Sequence, residues 1–492
     1  MIQNIPDVKL GVIAVSRGCF PSSLAERRRE ALVAAYGNGI YDCPITVVTE
    51  LDAEKAVKDA REHGVDALVV YLGNFGPETP ETMIADMFDG PIMYCAAAED
   101  GNLHDGRGDA YCGLLNCSYN LGLRGKRAYI PENPVGDAED LAVEIDTFSR
   151  IARAIIGLRN LKIIAFGPRP NDFLACNAPI KALYDLGVAV EENSELDLLV
   201  AYNRHAGDER IPQKCREMEE ELGEDNPYKG IIPRLAQYEL TLLDWAEEHR
   251  GCSRYVAFAN KCWPAFQTEF KFVPCYVNSR LASMGIPVSC EVDIYGALSE
   301  YIGTCISGSV VTLLDINNTV PKAMYERSIR SQYGARLGEC FMGFHCGNTA
   351  CSLLKNPHMG YQLIMKRDLE PELPEPDITR GTMEGDIKPG DITFFRLQST
   401  SGTEIKAYVA EGEVLDVPTE SFGSIGIFRI DEMERFYRHV LIEKRFPHHG
   451  AVAFGHYGKE IFEVMKYLGV ADISYNHPAG DRYPGENPFS RR

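Results

Sequence analysis

The sequence lacks long apolar runs, and it carries little positive charge. No stretch approaches the roughly 18 consecutive apolar residues of a membrane-spanning helix, and the first residues do not resemble a signal peptide. The 50 Lys and Arg residues are outnumbered by 71 Asp and Glu residues, which gives a formal net charge of −21. Because nucleic acids and anionic membranes bind to basic patches, we expect neither as a partner. Since no signal peptide is recognisable, we expect a cytoplasmic protein.

The cysteines also lack the patterns that would give them a chemical role. There are 15 of them, an odd number, scattered through apolar segments without a CxxC pair. Zinc ribbons and disulfide frameworks need closely spaced, paired cysteines. We therefore expect reduced thiols buried in the core.

The length of 492 residues suggests about three domains. Short apolar runs alternate with helical patterns in residues 1–157 and again in 158–320, which is typical of open α/β sheets. Residues 321–492 instead carry alternating runs separated by Gly and Ser, and a proline-rich linker at 371–377. The predicted fold is two open α/β domains of the Rossmann or flavodoxin type, followed by a mainly antiparallel, barrel-like β domain.

Two carboxylates, Glu291 and Asp315, stand out in otherwise apolar segments. The pattern predicts a strand over 287–293, a helix over 295–302 and a second strand over 309–314, which together would form one parallel crossover. Both acids would then lie at the carboxyl edge of a sheet, where open α/β sheets bind ligands. Such a pair would share a proton or a cation, unless the two acids are helix caps or salt-bridge partners.

A histidine in the third region adds a possible ligand. His449 lies between Pro447 and Gly450, which predicts a loop from which the imidazole could reach another domain. Two carboxylates and one imidazole suit Mn²⁺ or a similar divalent ion better than metals that prefer thiolates. Spacing alone does not bring His449 to the acids.

Three segments, 290–298, 314–317 and 449–458, resemble the metal-ligand motifs of L-fucose isomerases and, more loosely, those of L-arabinose isomerases. The 24-residue interval from Glu291 to Asp315 matches the fucose isomerase pattern, as does the form His-Gly-x-x-x-x-Gly-His-x-Gly at His449. Further similarity lies in 9–12, 24–34, 390–397 and 410–413. The resemblance therefore covers all three regions, although it is weak in the middle one.

The resemblance implies an aldose–ketose isomerase that acts on an open-chain sugar through an enediolate. The metal ligands of the family fall on Glu291, Asp315 and His449, and the two carboxylates also carry out proton transfer. The implied cofactor is Mn²⁺ or another divalent cation, and the implied assembly is a homo-oligomer, a hexamer or one based on trimers. The substrate would be L-fucose, D-arabinose or a hexose modified at C6, such as the sulfonated sugar sulfoquinovose.

Four further residues are candidates for substrate binding. His345 lies where L-arabinose isomerases place another metal-ligating histidine, and otherwise it is an ordinary loop histidine. His448 could orient His449 or touch the sugar, or simply belong to a turn. Arg17 follows the first strand, where the family places a basic residue that reaches a neighbouring subunit's active site; otherwise it is solvated. Trp263 could stack on a sugar face or pack in the core.

The chain also departs from the family pattern. It is shorter than typical fucose isomerases, and the segment at Glu291 reads Glu-Val-Asp-Ile-Tyr instead of Glu-Asn-Asp. We assign structural roles to Asp293 and Glu413. The alternative to an isomerase is a non-catalytic cytoplasmic sugar-binding protein, which would have no need for a carboxylate pair with a histidine.

Overall fold

A computed structural model describes residues 3–101, 103–104, 106–366, 379–399 and 404–488. The predicted linker at 371–377 lies outside the described residues. The chain divides into two compact units: one consists of Pro6–Ile156 with Glu463–Gly469, and the other of Met1–Ile5, Gly157–Phe462 and Val470–Arg492. The division into three domains remains a prediction from the sequence. Among the described residues, no helix is both long enough and apolar enough to cross a membrane.

The strands are β1 (Leu10–Val15), β2 (Tyr41–Asp42), β3 (Ala67–Leu72), β4 (Ile92–Ala97), β5 (Val135–Gly136), β6 (Leu161–Gly167), β7 (Ala189–Ser194), β8 (Tyr255–Ala259), β9 (Val288–Ser289), β10 (Val311–Thr319), β11 (Cys340–His345), β12 (Leu354–Tyr361), β13 (Arg380–Ile387), β14 (Gly390–Gln398), β15 (Lys406–Leu415), β16 (Ser424–Ile430), β17 (His449–Phe454) and β18 (Asp472–Tyr475).

The helices are α1 (Ser22–Tyr36), α2 (Glu50–Glu62), α3 (Glu78–Met87), α4 (Ala110–Leu123), α5 (Ala138–Arg159), α6 (Lys181–Asp185), α7 (Glu195–Arg204), α8 (Ile211–Leu222), α9 (Ile232–His249), α10 (Ala265–Phe270), α11 (Cys275–Ser283), α12 (Ile294–Ser307), α13 (Lys322–Met324), α14 (Arg330–Tyr333), α15 (Leu363–Lys366), α16 (Met433–Phe436) and α17 (Gly458–Leu468).

The unit formed mainly by Pro6–Ile156 contains a parallel sheet in the order β2-β1-β3-β4-β5. Strands β1, β3 and β4 are buried along their whole length. Parallel strands covered on both faces need continuous apolar runs, and the sequences of these three strands provide them. The prediction of an open α/β sheet is confirmed here.

A buried acid in this unit gives a pH-dependent prediction. Glu81 of α3 is fully buried, and burial raises the pKa of its carboxyl group to about 8, although Cys117 acts in the opposite direction. The folded state therefore favours the neutral acid, whereas the unfolded chain ionises near the ordinary value of 4.5. Its stabilising contribution is complete below about pH 4.5 and is lost as the pH rises through about 8. We expect this group to lower the free energy of unfolding by on the order of 4 kcal/mol over that interval.

Urea unfolding at pH 5 and pH 9 measures this loss. Glu81→Gln cannot ionise, so the variant should lose less stability between the two pH values than the wild type. Glu54→Gln, at an exposed position of α2, is the matched control and should keep the wild-type difference. A Glu81→Gln variant with the full wild-type pH difference would contradict the assignment.

The other unit contains two sheets. The first is parallel, in the order β7-β6-β8-β9. In the part of the chain that the structure describes, the second has nine strands, and the central ones follow the order β16-β11-β10-β17-β14-β15. Because β15 also pairs with β16, these six strands close into an antiparallel barrel. The predicted order, α/β sheets followed by a mainly antiparallel barrel, is confirmed.

The predicted parallel crossover around Glu291 and Asp315 is wrong. Strand β9 pairs with β8 in the parallel sheet, whereas β10 pairs antiparallel with β11 and β17 in the barrel. Between them, α12 is buried at every residue from Ile294 to Ile306 and contacts both β8 and β17. This apolar helix carries the chain from one sheet to the other. Apolar runs predicted the helix and the second strand, but the first predicted strand, 287–293, is reduced to Val288–Ser289, and a turn follows it. Such runs also do not specify which sheet each strand joins.

Candidate active site

The barrel brings Asp315 and His449 face to face. Asp315 of β10 lies directly opposite His449 of β17 in the antiparallel ladder. His449 is the first residue of its strand and is 1% exposed, so the prediction that it projects from a loop is wrong. Its Nε2 lies 3.3 Å from Asp315 Oδ1. Strand pairing therefore places together two residues that are far apart in the sequence.

Glu291 reaches the same point from the end of the parallel sheet. It lies in a short turn after β9, and both Glu291 and Val292 adopt left-handed backbone angles, with φ of 60° and 58°. Such angles are rare for a β-branched residue, and strained residues of this kind cluster at functional sites. The Val292 amide donates to the carbonyl of Asn260 at 2.8 Å, which holds the turn. Glu291 Oε2 lies 3.2 Å from His449 Nε2.

Asp293 orients the imidazole from behind. His449 Nδ1 lies 2.8 Å from Asp293 Oδ2, and Arg396 binds both oxygens of the same carboxylate at 2.7 and 2.9 Å. Arg396 also donates to Gln398 Oε1. Burial would raise the pKa of Asp293, but Arg396 and His449 outweigh it and hold the pKa well below its usual range. With Nδ1 donating to a carboxylate, Nε2 is left facing Glu291 and Asp315.

The electrostatic environment of His449, between the carboxylates, favours a positive charge. Burial alone would lower the pKa of His449, but the hydrogen bond to Asp293 and the nearby carboxylates of Asp315 and Glu291 raise it well above its ordinary value. Burial likewise opposes ionisation of Asp315, yet its contact with His449 keeps the pKa of this acid low. The negative charge of the carboxylates can be neutralised by a proton on the imidazole or by a cation beside it.

The donor set fits a divalent cation. Ligand atoms of Asp315, His448 and His449 lie within 4.8 Å of one another, as do those of Cys176, Glu291 and His449. Among the described residues, buried His449 Nε2 and Asp315 Oδ1 have no hydrogen-bond partner, which costs free energy unless a ligand satisfies them. Burial and then the charge of Asp293 raise the pKa of Cys176 to about 11, so it stays a neutral thiol. The other donors at this point are two carboxylates and an imidazole, a set suited to Mn²⁺ and similar ions.

Two further histidines border this point. His345 ends β11, is buried, and its ring centre lies 5.9 Å from that of His449. The Cys346 amide donates to His345 Nδ1 at 3.0 Å, so Nδ1 is an acceptor and Nε2 is the ring nitrogen that can donate. His448 Nε2 lies 3.7 Å from Asp315 Oδ1, and burial followed by the charge of His449 lowers the pKa of His448.

An aromatic row flanks the histidines. Phe173 contacts the rings of both His448 and His449, with centres 5.5 and 6.4 Å away. Trp263 packs edge-on against Phe173 at 6.3 Å and remains partly exposed. Arg17 lies in the other compact unit, where it pairs with Glu78 at 3.5 Å and covers the ring of Phe75. Phe173, Trp263, His448 and His449 thus lie together in one unit. The role of Arg17 remains a prediction.

Sequence reasoning missed Arg396, Gln398 and Phe173, and it gave Asp293 only a structural role. A signal for Arg396 was present, because it is the one charged residue in the apolar run Ile392–Leu397 of β14. A charge buried in a barrel strand requires a partner. Asp293, two residues after Glu291, is that partner. Phe173 gave no comparable signal, since it lies in an irregular segment without apolar periodicity.

Two family models match the chain. Residues 11–159 match the N-terminal domain of the fucose/sulfoquinovose isomerases, and residues 343–475 match the C-terminal domain of L-fucose isomerase. Together they cover more than half of the chain. His345, His448 and His449 lie within the second match, whereas Glu291 and Asp315 lie between the two.

Curated relatives agree with these matches. A sulfoquinovose isomerase of Alkalicoccus urumqiensis is 24% identical over 340 residues, covering 67% of this chain and 68% of the relative. One from Clostridium sp. (strain MSTE9) is 26% identical, covering 59% of each chain, and one from Priestia aryabhattai is 23% identical, covering 71% of each. With both terminal domains matched, the chain belongs to the L-fucose isomerase family and is a sugar aldose–ketose isomerase.

Proposed function

We propose that this isomerase depends on a divalent cation, Mn²⁺ or a similar ion, held by Glu291, Asp315 and His449. One observation carries the proposal: His449 Nε2 is buried, lacks a hydrogen-bond partner among the described residues, and lies within 3.3 Å of both carboxylates. Asp293 directs that nitrogen toward the two acids. A bound ion would polarise the sugar carbonyl and stabilise the negative charge that develops during enolisation.

The two carboxylates divide the proton transfers between them. Glu291 and Asp315 approach one nitrogen from different sheets, so an open-chain sugar bound there has an acid on two sides. One carboxylate removes the proton from C2, and the other, when protonated, supplies a proton to the sugar oxygen as the enediolate forms. Return of the C2 proton to C1, together with loss of the O2 hydroxyl proton to the second carboxylate, which gave its own proton to O1, yields the ketose. His345 Nε2–H provides a donor for a sugar hydroxyl, and the row of Phe173 and Trp263 offers apolar surface for its C–H face.

We further propose a hexose modified at C6, with sulfoquinovose as the leading candidate. All the relatives named above are sulfoquinovose isomerases, and one family model covers both fucose and sulfoquinovose isomerases. L-Fucose and D-arabinose are the other candidates, because the second model is that of L-fucose isomerase. We also propose a cytoplasmic homo-oligomer in which Arg17 serves the site of a neighbouring copy, as the family resemblance implies.

A panel of aldoses tests the metal requirement and the substrate together. Ketose formation from sulfoquinovose, L-fucose and D-arabinose would be measured with added Mn²⁺, after chelation, and after restoring the ion. We expect activity on at least one sugar, loss of at least about 100-fold on chelation, and recovery with Mn²⁺. Full activity after the ion has been removed would contradict the metal proposal, whereas activity on L-fucose alone would contradict sulfoquinovose as substrate.

A further inference from the structure

Helix α4 carries a row of large apolar side chains that point into solvent. Tyr111, Leu115, Tyr119 and Leu123 are 71%, 64%, 68% and 68% exposed, and we call them the α4 stripe. They are spaced four residues apart, so they lie along one face of the helix. Single exposed apolar residues are ordinary, but a continuous row of four marks an interaction surface.

The stripe is held rigidly. The opposite face of α4 is buried through Gly113, Leu114, Cys117 and Leu121. At Gly113 the helix packs directly against the backbone of Phe75. A Cβ added at Gly113 would lie 1.8 Å from the carbonyl oxygen of Phe75. The helix cannot rotate to bury the stripe without losing this packing. The exposed row is therefore a fixed surface.

A polar edge follows the stripe on one side. Asn116 and Asn120 donate to Glu78 at 3.0 and 3.1 Å, and the same carboxylate pairs with Arg17 at 3.5 Å. An apolar centre containing tyrosines and bordered by satisfied polar groups is the usual anatomy of a protein–protein interface. The surface has the composition of such an interface.

The charge of α4 indicates which partner binds to the α4 stripe. The 14 residues of α4 include no charged side chain, although the whole chain has a net charge of −21. Two identical acidic chains repel wherever charged surfaces meet, so they can associate most readily through a neutral surface. A basic protein or a cationic ligand would instead be attracted to an acidic surface. The neutral helix favours a second copy of this chain.

The order of the side chains along the α4 stripe also favours a second copy of this chain as the partner. If two α4 helices run antiparallel across a twofold axis, Tyr111 faces Leu123 of the second copy and Leu115 faces Tyr119. Every layer then pairs an aromatic ring with a leucine, which makes the stripe complementary to itself, as an isologous interface requires. We propose that the α4 stripe is the surface on which a second copy of this chain docks, with the two helices antiparallel. This inference does not depend on the proposed catalytic mechanism.

Sedimentation of the full chain tests the proposal. We expect the wild type to be oligomeric at micromolar concentration and Leu115→Glu to give a smaller assembly, because the substitution places two like charges near the twofold axis. The control is Leu196→Glu, which changes a leucine of α7 that is also 67% exposed and should leave the mass unchanged. A monomeric wild type, or an unchanged mass for Leu115→Glu, would overturn the proposal.

Cross-linking tests the geometry without disturbing the stripe, and it decides the matter if Leu115→Glu does not fold. Residue 118 is one position from the midpoint of the antiparallel pair, so the two copies of it lie about 3 Å apart along the helix axis. Ser118→Cys should therefore give covalent dimers with a short bifunctional maleimide. The wild type, whose exposed Cys112 residues would be about 15 Å apart along the axis, is the background. Dimer yield no greater than the background would overturn the antiparallel arrangement.

Discussion

Glu291→Gln is expected to lower kcat for ketose formation by about a thousandfold or more, because the substitution removes a proton acceptor and one of the three proposed metal ligands. Glutamine has nearly the shape of glutamate, so the backbone turn at Val292 and the packing around His449 should not change. Sugar affinity should change much less than turnover. Two assays measure the effect: formation of ketose, and exchange of the C2 hydrogen of the sugar with deuterium from D₂O.

The control for this variant is Glu413→Gln. Glu413 lies in β15, pairs with Arg429 at 3.1 Å and belongs to another of the segments that resemble the family. It should retain turnover, because it pairs with Arg429, a partly exposed arginine, and contacts none of the three proposed ligands in the described structure. If Glu291→Gln exchanges the C2 hydrogen at the wild-type rate, Glu291 has no part in proton transfer.

Asp293→Asn is expected to weaken both metal binding and the fold. The change removes the carboxylate that orients His449, and the loss of such an outer partner commonly lowers metal affinity by about 10- to 100-fold. It also leaves the buried Arg396 without its counter-charge. Breaking a buried pair in this way lowers the free energy of unfolding by about 3–5 kcal/mol. Equilibrium dialysis with Mn²⁺ and urea unfolding of the metal-free protein measure the two effects.

A double variant separates the two roles of Asp293. Asp293→Leu combined with Arg396→Met removes both buried charges together, so stability should return toward the wild-type value. Metal affinity should stay low, because His449 Nδ1 would still lack its acceptor. Wild-type Mn²⁺ affinity in this double variant would show that Asp293 stabilises the barrel and does not position the ligand.

Local sequence patterns predicted much of the fold. The apolar runs that form β1, β3 and β4 are continuous because both faces of a parallel sheet are covered, and this property is visible in the residues themselves. Strand partners were less predictable. The run ending at Asp315 is equally suited to a parallel or an antiparallel neighbour, so only the structure places β10 between β11 and β17.

The site was predicted only in part, because some of its residues are paired across long intervals of sequence. Glu291, Asp315 and His449 were found through motifs, whereas Asp293 and Arg396 form a pair across 103 positions that no local pattern encodes. The α4 stripe was also hidden, because α4 is apolar on both faces. Hydrophobic periodicity distinguishes a buried face from a polar one, but it cannot tell a buried apolar face from an exposed one.

The direct pairing of Asp315 with His449 limits how these strands can change in length during evolution. Side chains alternate between the two sides of a strand, so adding or deleting one residue within either strand would turn one of the two groups to the opposite side of the barrel wall. The intervals Val311–Asp315 and His449–Ala453 should therefore stay constant in functional homologues. Insertions and deletions between relatives should fall in the loops, where they leave the pair undisturbed.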